Sequence, residues 1–263
     1  MKNILPFESV DALCALQRKV TPAESQEGAQ SAAPLGHAGL DAVLGGGLAR
    51  GWLHEVFAAE PTDKSSAAGF TAMLAYLVSQ ADTPLFWMRE ETAQRQGCLH
   101  TPGLAEIGID PRRLVLVVPP DPVALLRAAA DVVRCTCVGA AVIELWRHPR
   151  ALDLTASRRL ALAAEASGVT TLLLRAEAEP SPSAAQTRWS IRAAPFVALE
   201  AEAPGRPAFI VDLLRQRGRP DGGSWHLEWD RDRGCFHGTA LSGAVVSAPH
   251  QRPMASDAQR RAG

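Results

Sequence analysis

A chain of 263 residues with a 47% hydrophobic share can bury a full core in one domain and still carry tails. Its formal charge of −1 excludes a global attraction to nucleic acid or acidic lipid, so any such contact needs a local basic patch. The five scattered cysteines fit a reducing cytosol better than a disulfide framework, and no apolar run approaches the ~18 residues of a membrane helix.

The start, 1–7, is too short for a signal peptide and is followed by Glu8. Val10, Leu13, Leu16 and Val20 at helical spacing predict a short helix over 6–20. Residues 21–34 are rich in Ala, Ser, Gln, Glu and Pro and read as a linker. Leu40, Val43 and Leu44 predict a short helix stopped by Gly45-Gly46-Gly47. A buried strand over 53–57 and a buried helix over 65–79 follow, then a strand over 85–88 and an irregular stretch over 92–105.

The run L-V-L-V-V over 114–118 predicts a strand buried on both faces. Residues 122–134 predict a helix capped by Asp121, with Val123, Leu126, Ala130 and Val133 on its inner face. A strand over 138–143 ends at Glu144, a helix spans 153–166, and a strand spans 169–174. Alternating strands and helices argue an α/β fold with a parallel sheet covered on both faces. Four short strands without intervening helices, over 188–192, 196–201, 208–214 and 224–229, predict an antiparallel extension. The expected organisation is an N-terminal helix and linker over 1–33, a core over 34–246 and a disordered tail over 247–263, in a soluble cytoplasmic protein.

The stretch 58–65 has the layout of a phosphate-binding loop between strand and helix. Lys64 and Ser65 occupy the last two positions of G-x-x-x-x-G-K-[ST], but Ala58 and Asp63 replace its two glycines. Such a loop works by closing backbone N–H groups around an anion. The Asp63 carboxylate would repel phosphate oxygens, and like charges at ~4 Å cost roughly 4 kcal/mol near a protein surface. Asp63 is instead a good helix N-cap that can supply the anion itself.

The order of these pieces resembles the RecA recombinase core over about residues 34–230. A G-L-D-x-x-L-G-G-G-L-x-x-G segment over 39–51 precedes the loop strand, and Gly108-Ile109-Asp110-Pro111-Arg112-Arg113-Leu114 precedes a later one. A strand, basic turn and strand unit over 211–230 completes the likeness. Within that superfamily the chain resembles the ImuA family of RecA-like accessory proteins of bacterial SOS mutagenesis. The residues that carry this are the eroded loop, A-Q-T-R-W-S-I-R over 185–192, and R-Q-R-G-R-P…W-H-L-E-W-D over 215–230.

The resemblance implies a mostly parallel RecA-like sheet flanked by helices and a place in error-prone translesion synthesis. It also implies contacts with ImuB and with RecA, and work alongside an error-prone C-family polymerase. For the site it implies Lys64 on phosphates, Ser65 on magnesium, Glu90 or Glu91 at the water-orienting position and Glu144 at the Walker B position. The RecA sensor glutamine has no match, because Arg175-Ala176-Glu177 stands there. The expectation is a degenerate nucleotide site that does not turn over ATP, with no cofactor. A DNA-dependent ATPase and a SulA-like inhibitor of division are the competing readings.

Arg215, Arg217 and Arg219, followed by Pro220, form the strongest local basic stretch, suited to DNA phosphates or to an acidic partner. Trp225, Leu227 and Trp229 share one strand face, and the two tryptophans are candidate partner anchors or core residues. Single-residue spacing in Cys98-x-His100 and Cys135-x-Cys137 is poor for tetrahedral zinc, and no metal is expected.

Overall fold

The structure is a computed structural model that describes residues 31–195, 205–219 and 222–238. The predicted helix over 6–20, the strand over 196–201, Pro220 and the tail over 247–263 lie outside the described residues. Ala32–Ala33 (β1) pairs antiparallel with Leu48–Ala49 (β2), so the end of the predicted linker is already structured. Ala33 and Leu35 are buried, which draws this segment into the core. Between these strands Ala38–Leu44 (α1) is capped by His37 Nδ1, which accepts from Leu40 N, and ends at Gly45 in the left-handed region (φ 80°).

Leu53–Ala58 (β3) is buried at every position, as an inner strand covered on both faces must be. A 3-10 turn, Pro61–Asp63, leads into Lys64–Val78 (α2). Leu85–Arg89 (β4) follows, then two short helices, Glu91–Gln96 (α3) and Thr101–Glu106 (α4), where the sequence reading expected irregular chain. The second forms because His100 Nδ1 accepts from Gly103 N and a proline stands in its first turn, where no N–H is needed.

Leu114–Val117 (β5) is only partly buried, against the expectation of a strand buried on both faces. It is the edge of the sheet, so one side has no neighbour. Pro122–Arg134 (α5) is capped by Asp121, which accepts from Val123 N and Ala124 N. Its inner face is Leu125, Ala128, Ala129, Val132 and Val133, rotated from the expected one because the two alanines allow closer approach to the sheet. Val123 is exposed.

Ala140–Trp146 (β6) runs past Glu144, which is therefore an internal strand residue and not its end. Leu154–Ser167 (α6), capped by Asp153, and Thr170–Ala176 (β7) complete the alternation. Thr187–Ala193 (β8), Ala208–Gln216 (β9), Ser224–Asp230 (β10) and Cys235–Gly238 (β11) follow.

The nine-stranded sheet has the order β11-β10-β9-β8-β3-β7-β6-β4-β5. It is parallel from β8 to β5 and antiparallel from β8 to β11, as expected for the extension. The α2 helix packs on Val56, Val142, Leu172, Trp189 and Ile191 of one face. Helices α5 and α6 cover Leu53, Phe86, Ile143 and Leu173 of the other. Helix α2 therefore begins at the carboxyl ends of β3, β6 and β7, where open α/β sheets place their ligands. No helix among the described residues is long and apolar enough to cross a membrane.

Candidate functional site

Two amides of the loop from β3 to α2 are bonded within the protein. Ala59 N donates to Ile191 O (3.0 Å), Asp63 N donates to Glu60 O (2.9 Å), and Pro61 has no N–H. Asp63 stands at the N-cap position of α2, but its side chain accepts nothing from that helix. Its Oδ1 accepts from Ala193 N at 2.9 Å and so pins the loop to the end of β8. The expected side-chain cap is absent because the 3-10 turn turns the carboxylate toward the neighbouring strand.

The anion over Lys64 is Glu177, 113 residues away in sequence. Lys64 Nζ donates to Glu177 Oε1 at 2.9 Å and lies 4.6 Å from the centre of the Trp146 ring. Glu177 follows β7 and Arg147 follows β6, and both adopt positive φ (53° and 57°). Left-handed backbone is unfavourable for residues with a Cβ. Here it is held by Arg147 N donating to Ala176 O (2.7 Å) and by an Arg147 Nε to Glu177 Oε2 contact of 3.4 Å. The hydrogen bond from Lys64 is the main reason the Glu177 carboxyl lies below its ordinary pKa. Ser65 is exposed in the first turn of α2.

Glu144 is buried and its carboxylate is fully engaged. Oε1 accepts from Arg89 Nη2 (3.0 Å) and Trp146 Nε1 (2.9 Å), and Oε2 accepts from Trp87 Nε1 (2.9 Å). Arg89 is anchored in turn on Ala93 O and Gly97 O. Trp146 thus links the two halves of the site: its indole N–H serves Glu144 while its ring carries Lys64. Of the two candidate glutamates after β4, Glu90 is buried, whereas Glu91 is exposed and pairs with Arg95 at 2.7 Å. Burial raises the Glu90 pKa, the hydrogen bond from Thr92 opposes this, and the charges of Asp121 and Glu144 add to the rise.

Arg215, Arg217 and Arg219 are exposed at the end of β9 and in the turn beyond it, on the antiparallel side of the sheet and apart from Lys64. Trp225 is partly buried. Trp229 is a core residue: it is 1% exposed, its Nε1 donates to Ile107 O at 3.0 Å, and it meets Phe236 and Tyr76 edge-on. It is enclosed and offers no surface to a partner.

The sequence reading missed a second buried charge group. Glu55 on β3 accepts from Arg188 Nε (2.8 Å) and Ser183 Oγ (2.5 Å), with Arg175 Nη1 at 3.6 Å. Arg188 also donates to Ser181 O. Burial lowers the Arg175 pKa, and Glu55 opposes that shift. Charged residues inside apolar strand runs were the available signal, since such positions demand a partner. Among the described residues no group of three or more His, Cys, Asp and Glu is arranged to hold a metal ion.

No protein-family model matches the chain. Protein ImuA of Caulobacter vibrioides strain NA1000 / CB15N is 34% identical over 198 residues, which cover 70% of this chain and 77% of the relative. Protein ImuA of strain ATCC 19089 gives the same figures. Among solved structures, the RadB recombinase aligns with a TM-score of 0.52 at 18% identity, over 79% of this chain and 100% of its own. At that identity the likeness is one of fold. The chain belongs to the ImuA family and is built on a RecA-like fold.

Proposed function

We propose that the protein is a non-catalytic RecA-like adaptor in SOS-induced, error-prone translesion DNA synthesis, which binds ImuB and engages RecA through RecA-like surfaces. The C-family polymerase joins through ImuB. The observation that carries the reading is the Lys64–Glu177 pair seated on Trp146, with Glu144 closed off behind it. A magnesium–nucleotide pair needs a free lysine, a ring of loop amides and an accessible carboxylate. Here the lysine is neutralised and the carboxylate accepts three hydrogen bonds. The loop amides of Ala59 and Asp63 are bonded within the protein, and Glu60 and Asp63 add negative charge to the loop. The residues present do not fit that ligand.

Family membership supports the ImuB partnership. The exposed Arg215, Arg217 and Arg219, together with the partly buried Trp225 of β10, supply the contact with a partner or with DNA on this reading. Trp229 contributes only by holding β10 in the core.

Two measurements test the proposal. Purified ImuB should be retained by the immobilised protein. Magnesium–ATP should leave the melting temperature unchanged, whereas a bound ligand at 100 times its Kd stabilises by about 2.7 kcal/mol. A rise that Lys64→Ala removes would overturn the adaptor reading in favour of a DNA-dependent ATPase.

A further inference from the structure

Five large hydrophobic residues stand exposed among the described residues, and three of them, Val123, Leu154 and Leu162, lie on α5 and α6. These helices pack against each other on the sheet face opposite α2. Leu154 is 56% exposed and Leu162 is 55% exposed. They are about two turns apart on α6, or roughly 12 Å along its axis, with Arg158 between them.

Arg127, Arg150, Arg158 and Arg159 are all exposed, and none forms an ion pair among the described residues. Of the neighbouring acids, Asp121 and Asp153 accept helix-cap hydrogen bonds, Asp131 faces Arg134, and Glu165, one turn beyond Leu162, is half-buried. A cleft of about 490 Å³ opens between the start of α5 and residues 149–151, bordered by Val123, Arg127 and Arg150.

We infer that the outer face of α6, continued onto the start of α5, is a docking surface for an acidic amphipathic helix borne by the partner protein. The inference rests on the ImuB reading above and names a surface distinct from the Arg215–Arg219 hairpin. Leucines at a spacing of two helical turns match a helix laid along α6, whose apolar residues recur at the same interval. The unpaired arginines beside them favour Asp and Glu on that helix and speed its encounter. A nucleic-acid backbone would satisfy the arginines but would leave Leu154 and Leu162 against phosphate and sugar.

The test uses the full chain and purified ImuB in a titration, beside a fluorescent DNA duplex. Wild type should bind ImuB, and Leu162→Asp and Arg158→Glu/Arg159→Glu should each weaken it about tenfold or more, with the charge reversal losing its effect at high salt. Both changes lie on exposed positions and should leave the melting curve in place. The charge-reversal pair removes no apolar packing and stands alone if Leu162→Asp fails to fold. Wild type that binds ImuB, with both variants binding equally well, overturns this surface while the adaptor reading stands. Absence of wild-type binding overturns both. Loss of duplex binding in the arginine variant, with ImuB binding intact, assigns the face to nucleic acid and overturns the inference.

Discussion

Arg89 and Glu144 sit opposite each other in the register of β4 and β6, and their side chains meet at 3.0 Å in the buried floor of the candidate site. The guanidinium is 6% and the carboxylate 8% exposed, so neither can recruit water in its partner's place.

Removing one member of this pair strands the other. Arg89→Met should destabilise the protein by about 3–5 kcal/mol, read from urea unfolding midpoints. Adding Glu144→Leu should recover part of that loss, because the uncompensated charge goes with it. A double variant as unstable as the sum of the singles would show that the two residues act independently.

Glu177→Gln should free Lys64 for an external anion. Tripolyphosphate should then raise the melting temperature of the variant and leave wild type unmoved. Equal responses would mean that Glu177 is not the group that excludes anions. Because the folded pKa of Glu177 is depressed, its pairing with Lys64 contributes at pH values above the ordinary carboxylate pKa and disappears as pH falls through its folded value.

His54 sets a second pH dependence of opposite origin. It is fully buried, and burial lowers its pKa from 6.5 to about 4, with the hydrogen bond to Ala49 O opposing the shift. Its Nε2–H donates to Ala49 O at 2.8 Å, so Nδ1 accepts from Thr187 Oγ1 at 2.7 Å. Below pH 6.5 the unfolded chain takes up a proton that the folded chain refuses until about pH 4. Stability should therefore fall with decreasing pH across that window, by roughly 1.4 kcal/mol per unit and about 3 kcal/mol in all. Urea titrations at pH 7, 6 and 5 measure the slope, and His54→Gln should flatten it.

Reversing Arg215, Arg217 and Arg219 to glutamate should leave stability within about 0.5 kcal/mol, since all three are exposed and outside the core. Binding to ImuB or to DNA should weaken. For DNA, the salt dependence should flatten by roughly 0.9 for each phosphate that the arginines no longer neutralise. An unchanged binding curve for both would remove the hairpin from the interface.

The alternation of strand and helix was legible because apolar periodicity is local. The β3 run and the α2 helix fell within a residue or two of their observed bounds. Misreadings came where burial depends on neighbours in space. The apolar run of β5 reads as a central strand and lies at the edge, where three of its four residues stay partly exposed. Trp225 and Trp229 share a face on either reading of β10, but only packing against Phe236 and Tyr76 makes Trp229 core.

In the stretch from Ala58 to Ser65, local pattern alone revealed Ala58 and Asp63 at the positions where a phosphate-binding loop has glycines. It suggested Asp63 as the substitute anion, the nearest carboxylate along the chain. Long-range packing instead sets Glu177 against Lys64 and closes Glu144 off behind Arg89 and two indoles. Strand order accounts for the difference. Placing β7 beside both β3 and β6 brings Glu177 and Arg147 to the mouth of α2, and no local pattern encodes which strands become neighbours.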